Sequence, residues 1–134
     1  MNIALMAHDR KKELMVQFCI AYCGILAEHS VCATNTTGKL VSEATGLPVT
    51  LYMHADQGGA QQIASRIGCD EIDLLLLFRD PLNPKPNEPD ERALLRLCDV
   101  HNIPVATNIA TAEMLIHGLE RGDLDWREIV KNHN

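Results

Sequence analysis

The chain has 134 residues, of which 46% are hydrophobic and 22% charged, a composition typical of a globular domain and unlike that of a disordered chain. Its net charge of −6 argues against a nucleic-acid-binding protein, because such proteins carry a basic patch. His8 and Asp9 interrupt the N-terminus before a signal peptide could form, and no apolar run approaches the roughly 20 residues of a membrane span, so we expect a cytoplasmic protein.

The five cysteines do not have the paired spacings of a zinc site, and their number is odd. They are Cys19, Cys23, Cys32, Cys69 and Cys98, all in apolar sequence surroundings. We therefore predict reduced, mostly buried thiols and no metal.

The first part of the chain alternates between strand and helix patterns. A short apolar run predicts a buried strand over residues 2–7, and apolar residues at helical spacing predict a helix over about 10–27. A second strand is predicted over 30–34, a helix from Thr37 to about Gly46, and a third strand over 49–53.

The alternation continues in the second part. A helix is predicted over 60–67, and a continuous apolar run over 72–78 predicts a strand buried on both faces. Four prolines make residues 79–89 a long loop. A helix to about Val100 and a strand over 104–107 are predicted next.

After the last strand we predict a helix through Ile116, breaks at Gly118 and Gly122, and a short final helix that contains Trp126. Strands that alternate with helices indicate a parallel sheet covered on both faces. We therefore expect an α/β fold in which residues 1–134 form a single domain with a doubly wound, mainly parallel five-stranded sheet.

Residues 33–39 read ATNTTGK and connect a predicted strand to a predicted helix. The hydroxyls of Thr34, Thr36 and Thr37 would converge there with the free N–H groups of a helix N-terminus, which suits an anion. A single threonine would be interpreted as a helix cap. Three threonines within four positions, followed by Gly38, favour a phosphate site.

In parallel sheets, ligands bind beyond the carboxyl ends of the strands. Polar residues predicted at these ends are His8, Asp9, Thr34, Asn35, Thr36, Thr37, His54, Asp56, Arg79, Asp80, Thr107 and Asn108. We expect them to meet at one edge of the sheet.

Taken in order, the stretches around these residues resemble the methylglyoxal synthase family. The motifs that carry the resemblance are AHD at 7–9 with Lys12, ATNTTG at 33–38, EATG at 43–46, GG at 58–59 with QQ at 61–62, DPL at 80–82, PD at 89–90 with ALLRL at 93–97, and NIPVATN at 102–108. They cover nearly the whole chain up to about Ile116, whereas the tail after Gly118 is not diagnostic.

The resemblance implies a homohexameric cytoplasmic lyase that converts dihydroxyacetone phosphate to methylglyoxal and inorganic phosphate, with no metal or organic cofactor. Its implied partners are a small phosphorylated metabolite or inorganic phosphate and further copies of itself, but neither nucleic acid nor a membrane. Position by position, it implies catalytic roles for His8, Asp9, Asp80 and Asp90, and substrate or phosphate binding by His8, Lys12, Thr34, Asn35, Thr36, Thr37, His54 and Ala55.

Three places in the chain, four residues in all, depart from the family pattern. Ala60 stands where the family has its aspartate general base, Asn87 where it has a histidine, and His54-Ala55 where it has a Ser-Gly pair. Losing a general base typically costs about 10²–10⁴ in rate, so altered or impaired chemistry is expected. The candidates for a relocated base are Asp56, Asp80 and Asp90.

Two other functions are consistent with these residues. Domains of this fold also serve as effector-binding regulatory domains in larger enzymes such as carbamoyl-phosphate synthetase. In that case the threonine turn and Lys12 would hold a phosphorylated metabolite that Ala60 and Asn87 leave unreacted. The third hypothesis is different chemistry on a phosphate ester that uses His54 and Asp56.

Overall fold

The computed structural model describes residues 1–83 and 91–132, except for the side chain of Asn132. Within these ranges the strands are β1 (Asn2–Ala7), β2 (Ser30–Ala33), β3 (Val49–Leu51), β4 (Leu74–Phe78) and β5 (Val105–Ala106). They form one all-parallel sheet in the order β3-β2-β1-β4-β5. The predicted α/β class with a parallel five-stranded sheet is therefore confirmed.

The helices of the described ranges connect these strands. They are α1 (Lys12–Ala21), α2 (Cys23–Leu26), α3 (Asn35–Thr45), α4 (Gly59–Gly68), α5 (Glu91–Val100), α6 (Ile109–Arg121) and α7 (Trp126–Asn132), with short 3-10 turns at Asp9–Lys11 and Ala55–Gln57. None of the described helices is long and apolar enough to cross a bilayer.

The two faces of the sheet bury different side chains of the same strands. In β4, Leu74, Leu76 and Phe78 belong to one buried cluster, whereas Leu75 and Leu77 belong to the other. This follows from the two-residue period of a strand. The first cluster also contains side chains of α1, α3 and α6, and the second those of α4 and α5. Helices therefore cover both faces, as the continuous apolar run of β4 predicted.

The order of the strands reverses between β1 and β4. The chain proceeds outward from β1 through β2 to β3, then returns to place β4 on the other side of β1. In doubly wound sheets a crevice opens at such a reversal, beyond the carboxyl ends of the strands. His8 and Arg79 directly follow β1 and β4, and the His8 N–H donates to Phe78 O at 2.9 Å.

Two helix predictions were wrong in part. The helix predicted over 10–27 is divided, because Tyr22 leaves helical geometry (φ −112°, ψ 23°) between α1 and α2. The break predicted at Gly118 does not occur, since α6 continues to Arg121 and ends at Gly122 with a left-handed φ of +86°. The small Gly118 lets the following loop approach closely: a Cβ there would lie 3.2 Å from Asp123 Oδ2.

Three of the five cysteines are buried, as predicted for most of them, whereas Cys23 is partly buried and Cys69 is exposed. Burial raises the pKa of the Cys19 thiol to about 12 and that of Cys98 to about 11. No group of three or more potential metal ligands occurs among the described residues.

Candidate functional site

Helix α3 begins at Asn35, two residues earlier than predicted. Thr34 is its N-cap residue with extended backbone (φ −63°, ψ 157°), and its carbonyl accepts the Gly38 N–H at 2.8 Å. Gly38 lets the first turn lie close to β3, since a Cβ at this position would be 2.4 Å from Leu51 Cδ2. The helix N-terminus is thereby held at the carboxyl ends of β2 and β3.

Two of the three threonines of this turn are buried. Thr34 is 4% exposed and makes no side-chain cap hydrogen bond, and Thr37 is 1% exposed. Among the described residues Thr37 Oγ1 has no hydrogen-bond partner. An unsatisfied buried hydroxyl costs about 1–3 kcal/mol, so a ligand that hydrogen-bonded to it would remove this cost.

Thr36 and Asn35 are placed differently. Thr36 is exposed, and its Oγ1 shares a hydrogen bond with His54 Nδ1 at 3.1 Å. The Asn35 N–H donates to Met53 O at 3.2 Å, which ties α3 to the end of β3. The structure thus brings His54 to the threonine turn, but the three hydroxyls do not share one environment.

Lys12 lies at the first position of α1 and points back to the end of β1. Its Nζ donates to Ala7 O at 3.1 Å and to Asp9 Oδ1 at 2.8 Å. Burial lowers the pKa of the Lys12 amine, an effect that the negative charge of Asp56 partly opposes. The Lys12 cation therefore pairs with the exposed carboxylate of Asp9 and is close enough to the exposed Asp56 to sense its charge.

The loop that carries His54 and Ala55 is fixed to the start of α4. The Gly59 N–H donates to His54 O at 2.9 Å, and a Cβ on Gly59 would lie 2.1 Å from Met53 O. Only glycine permits this approach. Ala55 is half-buried against the same apolar cluster as Ala60, which is 9% exposed on the first turn of α4.

His8 has both ring nitrogens engaged at the strand reversal. Nδ1 accepts the Asp80 N–H at 2.9 Å, so the ring proton is on Nε2, which donates to Glu91 Oε1 at 2.5 Å. Glu91 is 9% exposed, and its Oε2 forms an ion pair with Arg79 Nε at 2.9 Å. The Arg79 N–H is not aligned for a hydrogen bond, so within the described residues Oε2 accepts none.

The other predicted carboxylates are placed in three ways. Both oxygens of Asp80 lie near Asn83 Nδ2, at 3.1 and 3.3 Å, and Oδ1 also accepts the Leu82 N–H. Asp9 is exposed and pairs with Lys12. Asp90, like Asn87, lies outside the described residues.

Glu91 and Arg79 were not among the predicted catalytic or binding residues. The signal for Glu91 was present in the helical spacing, because Glu91 precedes the buried Leu94 and Cys98 by three and seven residues. A charged residue on the buried face of an amphipathic helix, at the strand reversal, needs a partner. Arg79 was predicted at the edge of the sheet without a role.

Comparisons with known proteins agree on one family. Residues 15–107 match the family model described as MGS-like domain. The chain is 64% identical over 130 residues to methylglyoxal synthase of Caldicellulosiruptor saccharolyticus, covering 97% of this chain and 92% of that protein. It is 54% identical to methylglyoxal synthase of Lysinibacillus sphaericus over all of both chains.

A solved structure gives the same result. The crystal structure of methylglyoxal synthase from Elizabethkingia anophelis superposes with a TM-score of 0.82 at 41% identity. The match covers 86% of this chain and 76% of that chain.

Proposed function

The chain belongs to the methylglyoxal synthase family, and on that premise we propose that it is a lyase that converts dihydroxyacetone phosphate to methylglyoxal and inorganic phosphate. The observation that carries this proposal is the buried Thr37 hydroxyl without a partner in the described structure, at the N-terminus of α3. This hydroxyl lies in the strand-to-helix turn at which the sequence pattern predicts a phosphate site. We further propose that the protein acts as a cytoplasmic homohexamer without cofactor.

The phosphate group is proposed to bind where β2 meets α3. The helix N-terminus offers N–H groups and the positive end of its dipole, and the hydroxyls of Thr34 and Thr37 are not used as caps. Lys12, held toward the end of the neighbouring strand, supplies a positive charge. His54 and Thr36 form the outer, exposed side of this phosphate site.

The carbonyl of the substrate is proposed to lie beside His8. The Asp80 N–H fixes the proton of this ring on Nε2, so the ring acts as a hydrogen-bond donor to an oxygen that gains negative charge. β1 lies between β2 and β4, so His8 is next to the phosphate site. A phosphate held rigidly to one side sets the C–O bond out of the enediolate plane, which favours elimination.

Ala60 is expected to make turnover slow. Its methyl group belongs to the same buried apolar cluster as Ile63, and it cannot accept a proton. If no other carboxylate takes the place of the aspartate, the expected deficit relative to a family member with aspartate at this position is about 10²–10⁴-fold, the typical contribution of a general base.

The first experiment measures methylglyoxal, trapped as a hydrazone, and phosphate released from dihydroxyacetone phosphate by the purified protein. We expect slow but enzyme-dependent formation of both in equal amounts, and faster turnover in Ala60→Asp combined with Asn87→His. Gln61→Asp is the matched control, because it adds the same charge to an exposed position of the same turn. If the unmodified protein turns over as fast as a family member with aspartate at the position of Ala60, this alanine does not slow the reaction.

The second candidate function is a metabolite-binding regulatory module of the same fold. The buried Ala60 favours it, since the residues proposed to bind phosphate are present while the expected base is absent. Under this alternative, calorimetry shows binding of phosphoglycolate, but no product forms from dihydroxyacetone phosphate at any protein concentration. Absence of binding by phosphate and phosphoglycolate alike would contradict both functions.

A further inference from the structure

We propose that Glu91 is the general base of this chain and supplies the carboxylate that Ala60 lacks; this role depends on the proposed lyase function. The first step of that reaction removes a proton from the carbon next to a carbonyl, so a carboxylate must lie near the group that polarises the carbonyl. Glu91 is in direct hydrogen-bond contact with that group, the His8 Nε2–H, at 2.5 Å.

Glu91 fits this role better than the other carboxylates that the structure describes near His8. The oxygens of Asp80 hold the turn that follows β4, and Asp9 and Asp56 lie nearer the surface. Glu91 is nine-tenths buried, its Oε2 accepts no hydrogen bond from the described residues, and Arg79 balances its charge. A carboxylate withdrawn from water and only partly hydrogen-bonded retains lone pairs for a proton.

The substrate is expected to displace the hydrogen bond between His8 Nε2 and Glu91 Oε1. When the carbonyl oxygen accepts the His8 Nε2–H, Glu91 Oε1 is released beside the carbonyl and its neighbouring carbon. A carboxylate base next to an imidazole that donates from Nε2 is a combination that enzymes use for enolisation. The Asp80 N–H keeps the His8 proton on this side of the ring throughout.

Glu91 takes a proton from the hydroxyl-bearing carbon of the substrate. The C–H pair becomes the C=C bond of the enediolate, and the carbonyl pair moves onto the oxygen held by His8. The hydroxyl proton next leaves to solvent as the hydroxyl oxygen becomes that of an aldehyde. The double bond shifts to the phosphate-bearing carbon, and the C–O pair departs with phosphate. The phosphate takes up a proton from solvent, and Glu91 returns to solvent the proton that it took. A proton from solvent added to this carbon restores the carbonyl and completes methylglyoxal.

Glu91→Gln tests the assignment, because the amide oxygen keeps the hydrogen bond to His8 but cannot take the proton. We expect methylglyoxal formation to fall about 10²–10⁴-fold, with KM and the affinity for phosphate changed less than about threefold. The exchange of carbon-bound hydrogen of the substrate with D₂O, followed by NMR, should fall equally. Glu71→Gln, at a surface ion pair remote from His8, is the matched control and should behave like the unmodified protein.

Each outcome separates the two proposals. Glu91→Gln with unmodified exchange and turnover would overturn the role of Glu91 and leave the lyase function standing. If the unmodified protein exchanges hydrogen but forms no methylglyoxal, the lyase function is overturned. Loss of that exchange in Glu91→Gln would still support Glu91 as the base that removes the proton. If Glu91→Gln does not fold, Glu91→Asp is used instead. Hydrogen exchange in Glu91→Asp should be slowed but measurable, and exchange at the unmodified rate would contradict the role of Glu91 as the base.

Discussion

The proposed role of the Thr37 hydroxyl in phosphate binding comes at a cost to the fold, because the hydroxyl is buried without a partner in the described structure. Thr37→Val replaces this hydroxyl with a methyl group of similar shape. We expect the free energy of unfolding to stay the same or to rise by about 1 kcal/mol, while affinity for phosphate falls about tenfold or more. Urea denaturation and calorimetry measure the two effects. Thr37→Ser, which keeps the hydroxyl, should retain the affinity, and a Val variant with unchanged affinity would exclude Thr37 from the phosphate site.

Lys12 is expected to set an alkaline limit on anion binding. Burial lowers the pKa of its amine, so its positive charge is lost at a lower pH than that of an exposed lysine. Affinity for inorganic phosphate, measured by calorimetry over alkaline pH, should therefore decrease before the usual range of lysine is reached. Lys12→Met should bind phosphate more weakly at every pH and should not show this alkaline decrease in affinity, whereas Lys11→Met should show it.

At the scale of elements, Gly59 fixes the junction between β3 and α4. A Cβ at this position would lie 2.1 Å from the Met53 carbonyl, which is backbone and cannot turn aside. Gly59→Ala should therefore destabilise the protein by about 1–3 kcal/mol and weaken phosphate binding by shifting His54. Gly24→Ala is the matched control, because a Cβ there has no neighbour within 4 Å and should be neutral or stabilising. Equal urea midpoints for the two variants would show that the junction tolerates a Cβ at Gly59.

Asp73 connects α7 to the start of β4. It accepts hydrogen bonds from Lys131 Nζ at 2.7 Å, the Asn2 N–H at 2.8 Å and Arg127 Nε at 3.2 Å. Asp73→Ala leaves the Arg127 charge buried without its main partner, so we expect a loss of about 3–5 kcal/mol in urea denaturation. Asp70→Asn removes a half-exposed carboxylate 3.7 Å from Arg127 and keeps a side chain that tolerates the left-handed φ of +58°, so it should cost far less.

The pH dependence of this loss follows from the direction of the Asp73 shift. Burial alone would raise its pKa, but the hydrogen bonds from Lys131, Asn2 and Arg127 lower it overall. A lowered pKa contributes stability above the unfolded value of about 3.9, and this contribution disappears as the pH falls through the folded pKa. The difference in the free energy of unfolding between the unmodified protein and Asp73→Ala should therefore decrease only in strong acid.

At the scale of the whole molecule, the family resemblance predicts a hexamer. Exposed apolar side chains such as Ile20, Leu51, Met53 and Met114 offer surface that contacts between copies would bury. Light scattering after size exclusion should give six times the chain mass of 14.9 kDa. A monomer at micromolar concentration would contradict the prediction.

The fold was largely predictable from local patterns, but its connections were not. The apolar run at Leu74–Phe78 indicated a strand buried on both faces, because only such a strand needs apolar residues at successive positions. The position of β1 between β2 and β4 depends on pairing between distant segments, which local periodicity does not encode. The interruption at Tyr22 was missed because no proline marks it.

The candidate site was predictable where one short segment carries the signal. Residues 34–37 form a strand-to-helix turn that was visible in the sequence, although Thr36 lies outside the buried pair. The contact between His8 and Glu91 joins residues 83 positions apart, so it became visible only when β1 and α5 were placed together.

The reversal of strand order places the proposed anion contacts and the proposed proton-handling groups on opposite sides of the end of β1. The first group belongs to the tips of β1 and β2 with α3, and the second to the junction of β1, β4 and α5. Under the proposed function, we therefore expect the affinity for the metabolite and the rate of its conversion to respond to separate substitutions. A chain built this way can become a metabolite sensor, or a faster catalyst, through exchanges at a few loop positions while its scaffold stays the same.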